Sequence, residues 1–421
     1  MPLAAESDHA RASYGQNIRP SEDQFGLMVP RDVMINVHPT WGVSELRHDV
    51  YTTAPGDSLQ EVDGEIEVKT DGSDGSGEAI LQTKERGQEM ASALGEAGIG
   101  LRIPTSPTGS QEWRAGYFDD TNGAGMGEDD TGLYVFRQSS QAQSEQLIRQ
   151  ADWNLDPLDG SGPSGYTVDL ADGAVLKVRF DWYGKGELEW ALEVPFTGDT
   201  GLPINTNRAA TIPVHRETYK GELVFTDPNQ PIRCKVMNGG TASSLAAYVT
   251  DMQFSILGGG RFTPQRPVPD FISDHTLNTS QGNWEPLITF RRKDTYNGRP
   301  NSVRAVFKGA QISANARCEM RVTYNDDSSA STVSWGDPTD WPSSETGLET
   351  RLQNDAGDHS VTPGVPVKVA PVLASIFFSD MVEVVDQIPL GNQTEITLWA
   401  RPMTTSDTDI LFASLILDEQ H

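Results

Sequence analysis

Two runs of strict alternation constrain this chain more than any other feature: AVLKVRFDWY over residues 174–183 and ELEWALEV over 187–194. In the first, Leu176, Val178, Phe180 and Trp182 take one face, and Lys177, Arg179, Asp181 and Tyr183 the other. In the second, Leu188, Trp190, Leu192 and Val194 share a face, with Glu187, Glu189 and Glu193 opposite. A period of two held through both arms, with a Gly-Lys-Gly turn between them, predicts an antiparallel hairpin with one apolar side. Lys177 and Arg179 then meet the glutamates across the hairpin, each pair worth about 0.2–1 kcal/mol.

The same pattern recurs in short pieces. Strands are expected at 64–70, 78–87, 99–105, 112–120, 132–138, 222–227, 231–238 and 248–257. A second set is expected at 284–293, 302–313, 316–326, 366–379, 394–403 and 410–419. Turn clusters such as DGSDGSG (71–77) and TYNGRPN (295–301) separate them, and 40 glycines and 26 prolines suit many short strands. Only 85–97 and 140–150 read as short helices. At 421 residues the chain exceeds one ordinary sandwich, and GGGRFTPQRPVPDF (258–271) reads as a boundary. The expectation is an all-β protein of two antiparallel, jelly-roll-like β-sandwich domains with an extended N-terminal arm. The arm covers 1–57, the sandwiches 58–260 and 272–421, and the linker 261–271. The most apolar stretch, APVLASIFF (370–378), is about half of what a membrane-crossing helix needs, and the first residues lack the apolar core of a secretory signal.

Charge narrows the function. Sixty acidic residues against 32 basic ones leave a net −28, and only 9 of the basic residues are lysine. Acid spread along the whole chain with little lysine suits a protein built for molar salt, where the Debye length falls to about 3 Å and self-repulsion is screened, ahead of the alternative of a mesophilic acidic protein. No basic stripe offsets the acid, so neither nucleic-acid binding nor membrane insertion is expected.

Two acidic loops invite a chemical reading. In WNLDPLDGSGPSG (153–165), Asn154, Asp156 and Asp159 offer oxygen ligands, and Ser161 and Ser164 offer hydroxyls. The ligand spacing misses the calcium-loop pattern, neither serine has a nucleophile elbow, and no histidine is near. As a turn the parts fit: Asp and Asn bond their own backbone, Gly160, Gly162 and Gly165 supply conformational freedom, and Pro163 stiffens the path. Trp153 and Tyr166 then cover the underside. The turn is the preferred reading. FDDTNGAGMGEDD (118–130), with Asp119 and Asp120, likewise reads as a solvated hairpin tip ahead of a cation site. No cofactor and no catalytic residue is expected. Trp335 and Trp341, in VSWGDPTDWPSS, suit either a sugar-stacking platform or a loop packed on the second sandwich, with packing preferred. Cys234 and Cys318 fall at inward strand positions in different domains, so separate buried thiols are expected ahead of a disulfide, and the pair makes neither a zinc site nor a redox pair.

GLYVFR, then WNLDPLDGSGPSGYTVDL, then VLKVRFDWYGKGELEWALEV resembles a family of virion structural proteins of tailed viruses of bacteria and archaea. The likeness continues through PIRCKVMNGG, WEPLITFRRK, ITLWARPM and FASLILDEQ, from about residue 60 to the end. It implies a non-enzymatic particle component of β-sandwiches, and the acid surplus implies a haloarchaeal host. The resemblance further implies a homo-oligomer, trimer or pentamer, on the virion. It would be a capsid vertex turret or spike, or a tail fibre or baseplate part, touching other virion proteins and a host-surface glycan or protein. The alternatives are a carbohydrate-binding protein of a halophile cell surface and, below that, a glycosidase, which needs two carboxylates facing one cleft.

Overall fold

The computed structural model describes residues 21–22, 28–29, 31–38, 40, 42–88, 94–140, 145–181, 186–195, 209–219, 223–257, 266–277, 283–355, 357–372, 379–391, 394–403 and 408–420. The chain is all-β and antiparallel, of jelly-roll sandwich type, and it divides into two compact units. One comprises Met1–Ser44 and His48–Phe262, the other Glu45–Arg47 and Thr263–His421. Among the described residues no helix is long and apolar enough to cross a membrane.

The first unit has two large sheets. The seven-stranded sheet runs in the order Gln146–Arg149, Gly132–Gln138, Gly123–Asp129, Glu112–Phe118, Ile232–Met237, Glu78–Thr83 and His48–Thr52. The eight-stranded sheet runs Ala209–Thr218, Glu187–Pro195, Ala174–Phe180, Leu94–Arg102, Ala246–Leu257, Glu65–Lys69 and Ser58–Val62, with Arg31–Val37 also paired to Ala246–Leu257. The two alternating strands pair antiparallel, with Lys177 facing Ala191 and Arg179 facing Glu189 in register, while Trp182, Tyr183 and the start of the expected turn lie outside the described residues. Leu176, Phe180, Leu188 and Trp190 are fully buried. Between the sheets Tyr117 stacks on Phe180 and on Phe254, each at 5.2 Å. A buried ring of this size contributes about 1.5–3 kcal/mol.

Four sequence expectations for this unit change. The acidic stretch 118–130 is not one loop, because Gly123–Asp129 is an interior strand between two turns, with Ala124 and Met126 buried. Its glycines are there for close approach: a Cβ on Gly125 would lie 2.8 Å from Phe136 Cζ, and one on Gly127 would lie 2.4 Å from Tyr134 Oη. No α-helix occupies the described parts of 85–97 and 140–150: Leu94–Arg102 and Gln146–Arg149 are strands held by their sheet neighbours, and only a short 3-10 turn, Gln150–Asp152, begins at the end of the second span. The strand expected at 222–227 is irregular from 223 on; the Leu223 and Val224 carbonyls accept from Arg137 Nη2 and Nε at 2.7 and 2.6 Å rather than from a neighbouring strand. The arm expected over 1–57 is drawn into the sandwich where it is described, through Arg31–Val37 and His48–Thr52; residues 1–20 lie outside the described set.

The second unit has a four-stranded sheet, in the order Arg266–Thr276, Asp409–Gln420, Arg304–Ala314 and Ser379–Pro389. Its five-stranded sheet runs Leu348–Leu352, Glu285–Arg292, Ile396–Pro402, Cys318–Tyr324 and Val365–Val372. Strand Arg266–Thr276 begins inside the span that reads as a linker. It tolerates Pro267 and Pro269 because it is an edge strand, with one side free of ladder hydrogen bonds. The Asn-Gly turn is a tight hairpin, with φ of +49° at Asn297 and +76° at Gly298. Cys234 and Cys318 are both buried, one in each unit, and are not joined in a disulfide.

Candidate functional site

The loop after strand Gln146–Arg149 turns its polar groups inward. Asp156, 3% exposed, accepts from the Leu158 N–H through Oδ1 at 2.9 Å and from the Ser164 N–H through Oδ2 at 2.7 Å. Asp159 is exposed and accepts from the Ser161 N–H and hydroxyl at 2.8 and 2.5 Å, which hold its carboxyl below the usual range. A Cβ on Gly162 would lie 2.2 Å from Asp156 Oδ1, so only glycine lets the loop close over that carboxylate. Gly160 and Gly165 take φ of +86° and +65°, and Pro163 is exposed. Trp153 is buried and donates from Nε1 to the Ile148 carbonyl at 3.2 Å, while Tyr166 packs half-buried on the core.

The same loop reaches the other sheet. Asn154 exchanges two hydrogen bonds with the Arg216 backbone, at 2.7 and 3.0 Å, and Leu155 N–H donates to the Val214 carbonyl at 3.1 Å. Gln146–Arg149 is the edge of the seven-stranded sheet and Ala209–Thr218 the edge of the eight-stranded one. The motif therefore clamps the two edge strands on one side of the sandwich, where open edges would otherwise offer free N–H and C=O groups.

Asp119 and Asp120 are brought together with arginines. Arg86 Nη1 lies 3.3 Å from Asp119 and Arg233 Nη1 lies 2.6 Å from Asp120. Burial raises the Asp119 carboxyl, but Arg86 and the Thr121 and Asn122 donors outweigh it and hold it below its usual value. Among the described residues no three His, Cys, Asp or Glu side chains are placed to hold a metal ion.

The outer face of the eight-stranded sheet is a lattice of ion pairs. Arg179 reaches Glu96 at 2.7 Å and Glu189 at 3.1 Å, Arg216 binds Glu187 and Glu189, and Lys177 binds Glu193. A cavity of about 330 Å³ opens on this unit, lined by Glu65, Arg102, Asp172, Glu193 and Thr250 among others. Arg102 pairs with Glu65 and lies 4.3 Å over the Tyr248 ring. A glycosidase acid needs a carboxyl free to exchange a proton, whereas Glu65 and Glu193 are each bound by a cation.

In the second unit Trp335 and Trp341 are half-buried. The guanidinium carbons of Arg291 and Arg351 lie 4.1 and 4.2 Å from the Trp335 ring centroid, so the ring is covered. Trp341 packs against the unit's core and carries Arg266 at 4.8 Å. Sequence reasoning missed a third aromatic station, formed by Trp284, Trp399, Arg321 and Arg401 on the five-stranded sheet. The outward position of Arg321 was legible in the alternation of CEMRVTY, but nothing in the sequence places Trp284 over it.

The chain matches no family model and no curated protein. Solved structures of similar shape include an endo-1,3-β-glucanase from Streptomyces sioyaensis, 9% identical, covering 57% of this chain and 100% of its own, with a TM-score of 0.36. A CBM2 module of the evolved Dit of Lactobacillus casei BL23 phage J-1 is 9% identical over 56% of this chain and 99% of its own, with a TM-score of 0.34. The lectin UEA-II, solved with galactose, is 7% identical over 53% of this chain and 97% of its own, with a TM-score of 0.33. Likeness at this level carries nothing about what the chain binds. The fold itself defines the class, an all-β protein of antiparallel jelly-roll sandwiches.

Proposed function

We propose that the chain is a non-enzymatic structural protein of the particle of a haloarchaeal tailed virus. It acts as an oligomeric surface component: a vertex turret or spike, or a tail fibre or baseplate part. The observation that carries this reading is the inward bonding of residues 153–165, the stretch at the centre of the resemblance to virion proteins. Asp156 and Asn154 are spent on the loop's own amides and on the opposite sheet edge, so the motif builds a scaffold. The corresponding mechanism is assembly and display, with multivalent contacts supplying affinity.

Immunogold electron microscopy with serum against this chain, on particles from a haloarchaeal culture, tests the proposal. Gold at vertices assigns a turret and gold at tails a fibre or baseplate part. Gold on cells beside bare particles overturns the reading and favours a cell-surface role.

A further inference from the structure

The outer face of the five-stranded sheet holds one arginine in an uncommon setting. Arg321 stands beside Trp399 in register. Its guanidinium carbon lies 4.7 Å from the Trp399 ring centroid and 4.5 Å from that of Trp284. Arg401 also lies over Trp284, at 4.7 Å, but spends its Nε donor on Glu319 at 2.6 Å. Arg321 makes no hydrogen bond or ion pair with any described residue, and its Nε is buried without a partner. Asp326 acts on it only through space. In a chain with 60 acids to 32 bases, a guanidinium that has found no carboxylate has donors to offer. Beside it, Val369 faces Arg321 in register and is 53% exposed, and Pro286 faces Trp399.

We propose that the Trp284–Arg321–Trp399 clasp recognises a carboxylate-bearing sugar, a uronic acid within an acidic polysaccharide. Two indoles fix the guanidinium plane, so its fork of N–H donors is oriented before any ligand arrives. A planar carboxylate matches that fork with two parallel bonds. The C–H face of the same pyranose ring covers Val369, the exposed neighbour of Arg321 on the next strand, which a small anion would leave bare. A neutral sugar offers that fork no charged planar acceptor and so forgoes the two charge-assisted bonds. In molar salt long-range attraction is screened within about 3 Å, so short directed bonds and stacking are the recognition that survives. The clasp belongs to the chain itself, so binding by the purified protein is read apart from its place in any particle.

The test is calorimetric titration of the full chain, in about 2 M KCl, with trigalacturonate and with maltotriose, a neutral trisaccharide of like linkage. Trigalacturonate should bind and maltotriose should bind at least about tenfold more weakly. Arg321→Ala should lose at least about tenfold, and Arg321→Lys, which keeps the charge but not the fork, should also fall. Arg149→Ala, in the other unit, should bind as the wild type does. If Arg321→Ala fails to fold, Val369→Asp substitutes an exposed residue and should weaken binding by repelling the carboxylate. Equal binding of both sugars, binding of neither, or full binding by Arg321→Ala overturns the proposal. So does a wild-type dimer that binds no sugar and dissociates on Arg321→Ala, which would give the clasp to a second copy of the chain.

Discussion

Replacing Asp156 by alanine is the sharpest test of the scaffold reading of residues 153–165. The side chain is 3% exposed and accepts two backbone N–H groups, from Leu158 at 2.9 Å and Ser164 at 2.7 Å. A hydrogen bond to a charged acceptor contributes about 1.5–3 kcal/mol, and water cannot easily replace an acceptor at a site this closed. Losing both should cost about 3–5 kcal/mol. For a unit of this size each kcal/mol moves the midpoint by about 2–4 °C, so the first unit's transition should fall on the order of 10 °C. Asp156→Asn keeps one acceptor and points an amide at the other donor, so it should fall between. Asp159→Ala, at an exposed carboxylate that bonds only Ser161, should leave the midpoint unchanged within error. Scanning calorimetry in molar KCl reads the midpoints, and hydrogen exchange at the Leu158 and Ser164 amides localises the effect. Either of two results would refute the reasoning: Asp156→Ala melting with the wild type, or calcium raising the wild-type midpoint. The second would mean that the carboxylates serve a cation rather than the backbone.

His359 gives a pH prediction. Burial, with Arg351 nearby, pushes it down to about 4, and its Nε2 lies 3.0 Å from Thr289 Oγ1. The unfolded chain therefore takes up a proton first, and stability of the second unit should be lost as pH falls from about 6.5 to about 4, by up to about 3 kcal/mol; the difference between wild type and His359→Gln across a urea–pH series isolates this slope. Burial raises the Cys234 thiol to about 12, and Cys318 is buried too; at pH 8 neither should react with a thiol reagent until the chain unfolds, and fast labelling of either would contradict the packing. Gly127→Ala would put a methyl 2.4 Å from Tyr134 Oη and 2.7 Å from the Trp113 carbonyl, and should cost about 1–3 kcal/mol by thermal unfolding.

Where the alternation is clean, the sequence and the structure agree in detail. Lys177 and Arg179 do meet Glu193 and Glu189, because side-chain period, register and charge all favour the same hairpin. Strand Gly123–Asp129 was illegible for the opposite reason. Glycines at every second position carry no hydrophobic signal, yet they are what lets Tyr134 and Phe136 lie across the strand. The span 222–227 shows the converse error, since Val224 and Phe225 look like strand residues but are buried in an irregular segment whose carbonyls Arg137 takes. Pro267 and Pro269 resemble a linker until the strand is seen to be an edge. At the sites, Asp156 was legible as a turn residue from its glycine-rich surroundings. The clasp around Arg321 was not, because it depends on Trp284 meeting a strand more than thirty residues away in sequence.

The clamp formed by residues 153–165 also has a mechanical meaning. A sandwich usually fails from its margins, one outer strand at a time, like pages lifting from a pad. Here the outer strands of both sheets on one side are bound to the same short loop, through Trp153 to Ile148 and through Asn154 and Leu155 to Ala209–Thr218. Neither margin can fray without drawing on the bonds of the other. A sideways pull on that flank is therefore shared between two sheets, and the force at which it begins to open is set by both together.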